Sequence, residues 1–128
     1  MEITFEGGKI VTAYHKGFQI KTDQPVNNGG TGSAPSPFDL YLAAIGTCAA
    51  VYVKSFCDNR QLNTDGIRVI QKTEYSKETG LPVKITIDIK LPPEFPEKYR
   101  QSVVNVAELC KVKKSIVNPP VFEVISTL

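Results

Sequence analysis

Polar and apolar positions alternate with a period of two over the first part of the chain. "EITFE" (2–6), "KIVTAY" (9–14) and "FQIKT" (18–22) each read as a short strand, with Gly7-Gly8 and His15-Lys16-Gly17 as the turns between them. The expected element is a three-stranded β-meander. Residues 23–35, "DQPVNNGGTGSAP", carry no apolar period and concentrate Asn, Gly and Pro, which is loop composition. A loop of that length either lines a site or serves as a mobile connector.

The pattern then changes. Ser36 can accept a hydrogen bond from an early helical amide, Pro37 suits the first helical position, and Asp39 stands three residues after the serine, so a helix is predicted to start here. From Leu40 to Val53 the chain has no charged residue. That stretch is roughly 21 Å long at 1.5 Å per residue, short of the ~20 residues that cross a bilayer, so a membrane span is not expected. A helix apolar on every side needs protein on every side, supplied by its own sheets or by a second subunit. Ala43, Ala44, Gly46, Ala49 and Ala50 leave room for another backbone to come close. The next alternating segments, "IRVIQKTEYS" and "LPVKITIDIKL", predict a hairpin. Pro92, Pro93 and Pro96 then open a second helix with Tyr99, Val103, Val106 and Ala107 on one face, and "CKVKKSIVN" predicts a short third helix. "VFEVISTL" reads as a final strand. The order β-β-β-α-β-β-α-α-β lacks βαβ alternation, which makes the fold class α+β with residues 1–128 as a single domain.

Composition narrows the function. The 128 residues are 41% hydrophobic and 22% charged, an ordinary globular balance. Net charge is only +2 and the lysines are dispersed apart from Lys111, Lys113 and Lys114, with no aromatic residue among those three, so nucleic-acid binding is not expected. "MEITFEGGKI" has no cationic start followed by an apolar run, and the expected location is the cytoplasm. Three cysteines without CxxC spacing suit neither a disulfide framework nor a zinc knuckle. Neither a metal nor another cofactor is expected, and a site built from Cys48, Cys110 and His15 has no support from spacing.

The cysteines differ in setting. Cys48 sits in the apolar helix, where it is either a small packing residue or a thiol that needs a cationic or hydrogen-bonding partner to ionise. Cys57 lies two and a half turns further on, ~13.5 Å along the axis, beyond bridging distance of Cys48, and reads as structural. Cys110 precedes "KVKKSI" at a helix start among three lysines, a setting expected to make it the most acidic of the three.

Pro35-Ser36-Pro37 with Asp39-Leu40, "LAAIGTC" ending at Cys48, and Cys110 followed by "VKKSI" together resemble the OsmC/Ohr family of osmotically inducible and organic hydroperoxide resistance proteins. The resemblance extends over nearly the whole chain. It implies an OsmC-like fold with a long buried central helix, an intertwined homodimer, and a thiol-dependent peroxidase. Cys48 would attack an organic hydroperoxide to give a sulfenic acid and an alcohol, Cys110 would resolve it as a Cys48–Cys110 disulfide, and a dithiol reductant would restore the thiols. Asp39 would be the acidic residue of the helix start, displaced by one place because Phe38 follows Pro37. In the peroxidase branch that acid pairs with an arginine of the N-terminal strands, whereas residues 1–35 here contain none; Arg60, Arg68, Arg100, His15 and Lys16 are the cations considered in its place. The competing expectation is a non-catalytic OsmC-like dimer that holds an apolar small molecule, with Cys48 as packing.

Overall fold

A computed structural model describes residues 1–128, which form two compact units, Met1–Ala43 and Ala44–Leu128.

The first unit contains the meander. Strands β1 (Glu2–Phe5), β2 (Val11–His15) and β3 (Phe18–Thr22) pair antiparallel in that order, with Ile3 opposite Ala13 and Ala13 opposite Ile20. The β2–β3 turn has two central residues, Lys16 and Gly17, both with positive φ (50° and 82°), as the right-handed twist of a tight hairpin demands. The loop that follows is tied to one side chain. Asp23 is buried, and its carboxylate accepts hydrogen bonds from the amides of Gln24, Thr31 and Ser33 and from the hydroxyls of Thr31 and Ser33. Its own amide donates to the Pro35 carbonyl at 3.2 Å. A buried carboxylate is tolerated only with such a set of donors, and five of them make this segment an ordered loop, not a mobile connector. They also hold the Asp23 carboxyl well below the usual carboxylate range, the Ser33 amide contributing most.

Helix α1 spans Pro37–Asp58. Its start is a reciprocal cap: the Asp39 amide donates to Ser36 Oγ at 3.2 Å, and the Ser36 amide donates to Asp39 Oδ2 at 2.9 Å. By length and composition alone α1 could cross a membrane. One face, Ile45, Ala49, Val53, Phe56 and Cys57, is nevertheless buried within the chain.

In the second unit, β4 (Arg68–Tyr75) and β5 (Pro82–Lys90) form a two-stranded antiparallel sheet, and helices α2 (Arg100–Ala107) and α3 (Lys111–Val117) follow. One face of the sheet sets Val69 against Ile89, Gln71 against Ile87 and Thr73 against Ile85. Gly46 of α1 meets that face closely: a Cβ there would lie 2.7 Å from Gln71 Oε1. The core joins Val53, Phe56 and Cys57 of α1 to Phe95 and Val103, and Tyr99, Val106 and Ala107 pack around it, the face anticipated for α2. The Phe56 ring is also covered by the Arg60 guanidinium at 3.8 Å from its centroid.

One expectation meets a different structure. The expected final strand does not form within the chain, since residues 119–128 carry no regular secondary structure. Of the covering expected around α1, from its own sheets or a second subunit, the chain itself supplies one face. Ala43, Thr47 and Val51, spaced four apart along one stripe, are exposed, with Val51 at 54%.

Candidate functional site: a pair of cysteines at the start of α3

Cys110 is the N-cap of α3, and its sulfur accepts a hydrogen bond from the Lys113 amide at 3.3 Å. A helix start leaves its first amides without intrahelical partners. Cys110 satisfies the third of these. The two before it, on Lys111 and Val112, favour the thiolate of Cys48. One short helix start thus acts on two cysteines that the chain places far apart in sequence. The Cys110 thiol is buried and donates to the Ile45 carbonyl of α1 at 3.8 Å, and it also favours the Cys48 thiolate.

The electrostatic consequence reverses the sequence expectation for these two groups. The Val112 amide acts most strongly in holding the Cys48 thiol below its ordinary value, and the Cys110 thiol, the Lys111 amide and the Lys111 charge act in the same direction against the cost of burial. Cys110, expected to be the most acidic cysteine, is instead pushed up, first by burial and then by its neighbour Cys48. The reason is positional. Cys110 caps the helix and lies buried beside it, whereas Cys48 faces the first two amides and stays partly exposed. Cys57 is also pushed up by burial in the core, in keeping with a structural role.

Of the three residues singled out in the sequence, Cys48 and Cys110 come together and Asp39 is engaged elsewhere. Its carboxylate serves the α1 cap, and hydrogen bonds from the Ser36 amide and hydroxyl hold its pKa down. Within its unit the support for a Cys48 thiolate comes from the Val112 and Lys111 amides, the Cys110 thiol and the Lys111 charge, with Arg60, Arg68 and Arg100 not among its causes. Sequence reasoning attached Lys111 to Cys110 because the two adjoin in the chain. The hydrogen-bonding role of Val112 left no sequence signal, because any residue but proline supplies an amide. Asp23 was missed because an aspartate in a polar loop looks like any other. Its one sequence trace is the pair Thr31 and Ser33, two hydroxyls alternating along the same loop.

Beside Cys110 lies a cavity of about 190 Å³ walled by Ile45 and Ala49 of α1, Ile85, Ile87 and Ile89 of β5, and Val104 and Ala107 of α2. Glu108 and Lys113, which form an ion pair, also line it. Cys48 is not among the lining residues.

The scaffold is α+β with a single long apolar helix, and it carries one thiol held below its ordinary value, Cys48, and one pushed above it, Cys110. The chain belongs to the OsmC-like protein family, whose model matches residues 30–125. Comparison with curated proteins finds no match. Among solved structures it is similar to an osmotic stress induced and detoxification response protein from Psychrobacter arcticus 273-4, with 25% identity over 89% of this chain and 85% of that one and a TM-score of 0.75. It also shares its fold with the organic hydroperoxide resistance protein OsmC of Legionella pneumophila, at 16% identity, 90% and 87% coverage, and a TM-score of 0.51.

Proposed function

We propose that the protein is a cytoplasmic, homodimeric thiol peroxidase that reduces organic hydroperoxides to alcohols. The observation that carries this reading is the shared helix start, where the Val112 and Lys111 amides favour a Cys48 thiolate beside a protonated Cys110. The Cys48 thiolate attacks the distal oxygen of ROOH, the O–O bond breaks, and RO⁻ takes a proton to leave as ROH. The resulting Cys48 sulfenic acid is attacked by the Cys110 sulfur, forming the S–S bond and releasing water. An external dithiol then exchanges with that disulfide, is itself oxidised, and returns both cysteines to thiols. Asp39 serves the α1 cap and has no step in this chemistry.

The dimer is supported by exposed Val51 on a helix without charge from Leu40 to Val53. Exposed apolar surface on such a helix fits a second copy. Purified reduced protein is expected to consume cumene hydroperoxide with a small dithiol as reductant. Cys48→Ser is expected to abolish turnover. Without dithiol, Cys110→Ser should stall after one turnover as a Cys48 sulfenic acid, which a second equivalent of hydroperoxide oxidises to sulfinic acid. Undiminished turnover by Cys48→Ser would refute the proposal.

The cavity favours a second reading. It is walled by aliphatic side chains yet does not reach Cys48, which suits a binding protein for an apolar small molecule. Native mass spectrometry of the protein as purified would support this reading by showing a retained apolar ligand, provided Cys48 also reacts no faster than a free thiol.

A further inference from the structure

The aliphatic cavity beside Cys110 is not lined by hydrocarbon alone. Ile45 and Ala49 of α1 and Ile85, Ile87 and Ile89 of β5 supply much of its apolar wall, and Glu108 and Lys113 stand on the same lining. At about 190 Å³ it exceeds the ~150 Å³ that encloses a benzene ring, so it has room for roughly seven carbon atoms. Ile85, Ile87 and Ile89 alternate along one strand and face the same way, and the chain buries each of them only in part. An alkyl chain laid against them would take that surface out of water.

The charges at this lining are unequal. From Glu108 to Val117 the chain carries Lys111, Lys113 and Lys114 against the single carboxylate of Glu108. Glu108 is paired with Lys113, which leaves an excess of positive charge. Both partners face solvent, the Glu108 side chain at 68% and that of Lys113 at 42%, and such a pair adds little to stability. Lys113 is the better anchored of the two, because it lies within α3 and its amide donates to the Cys110 sulfur at 3.3 Å, whereas Glu108 stands in the turn after α2. Another carboxylate can therefore take the place of Glu108 on Lys113 and leave no charge buried and unpaired. An amine has no equivalent opening, since displacing Lys113 from Glu108 would set a fourth positive charge beside three lysines.

We propose that this cavity binds a medium-chain aliphatic carboxylate, with its alkyl chain along Ile85, Ile87 and Ile89 and its carboxylate on the Lys113 ammonium in place of Glu108. The inference rests on the small-molecule reading of the cavity and adds to it the class of ligand and the residue that selects it. Burial of the chain supplies affinity, and one charge-assisted contact supplies the choice of headgroup. Because Cys110 lines the cavity and Cys48 does not, the bound chain lies against the first thiol and leaves the second outside.

Isoleucine-methyl NMR of the full chain tests this, with octanoate, octanol and octylammonium as probes of one chain length. Octanoate is expected to shift the methyls of Ile45, Ile85, Ile87 and Ile89 and to bind roughly tenfold or more tightly than octanol, with octylammonium the weakest. Lys113→Met should bring octanoate down to the level of octanol, and Glu108→Gln, which frees Lys113, should tighten it. If no probe moves those methyls, the small-molecule reading falls, and this inference with it. Equal binding of octanoate and octanol to the parent protein overturns the inference and leaves the small-molecule reading standing. Octylammonium that binds as tightly as octanoate, or octanoate that binds Lys113→Met undiminished, overturns it as well.

Discussion

The sulfur of Cys110, the N-cap of α3, accepts a hydrogen bond from the Lys113 amide at 3.3 Å, and the amides of Val112 and Lys111 beside it favour the thiolate of Cys48, midway along α1. The lowered Cys48 pKa arises mainly from backbone donors, with the Lys111 charge the least of its causes. A fixed N–H aimed at a sulfur costs no side-chain entropy and cannot be lost by substitution except with proline.

That ranking can be measured. Alkylation by iodoacetamide, followed residue by residue, should show Cys48 reacting with a midpoint below the ~8.5 of a free thiol and Cys110 with one above it. Lys111→Gln removes only the charge and should raise the Cys48 midpoint slightly. Lys111→Pro removes charge and amide together at the helix position where proline is best tolerated, so it should raise the midpoint further. Equal shifts from the two variants would place the effect in the charge alone.

Asp39 should behave as a cap and not as part of the thiol chemistry. Ser36→Ala removes the hydroxyl that receives the Asp39 amide and should cost about 1 kcal/mol of stability. Asp39→Asn should also destabilise the protein. Neither change is expected to move the Cys48 alkylation profile, and urea unfolding run alongside alkylation separates the two effects.

The ordered loop makes a prediction about acid. The folded Asp23 carboxyl lies below its unfolded value, so its contribution to stability is complete above pH ~4 and is lost as pH falls through the folded pKa. Asp39 has the same sign. Urea midpoints measured between pH 5 and pH 2 should fall less steeply in Asp23→Asn than in the parent. Gly30→Ala should destabilise by about 2 kcal/mol or more, because its Cβ would lie 1.9 Å from the Gln24 carbonyl oxygen.

Local signals made most of the fold legible in the sequence. Period-two alternation located all five strands to within two residues, and Ser36-Pro37 with Asp39 marked the first residue of α1. The apolar spacing of Tyr99, Val103, Val106 and Ala107 identified the packed face of α2, although that helix begins at Arg100 after a turn of 3₁₀ helix, later than the prolines suggested. The tail had a strand's pattern without a partner in its own chain, and a pattern specifies the face a strand presents, not the chain it pairs with.

The site was legible only in part. Family register pointed to Cys48 and Cys110, but which of them favours the thiolate depends on where the α3 amides aim, a tertiary fact. Adjacency to three lysines suggested Cys110, whereas the geometry favours Cys48.

The most direct test of the account is the covalent state of the protein after one equivalent of cumene hydroperoxide under anaerobic conditions, read by intact mass and non-reducing peptide mapping. The proposed mechanism predicts loss of two hydrogens per chain and one linked peptide joining Cys48 to Cys110 within the same chain, with Cys57 still a free thiol. If both cysteines stay reduced, or Cys48 gains oxygen while Cys110 remains an unlinked thiol, the proposed mechanism is contradicted.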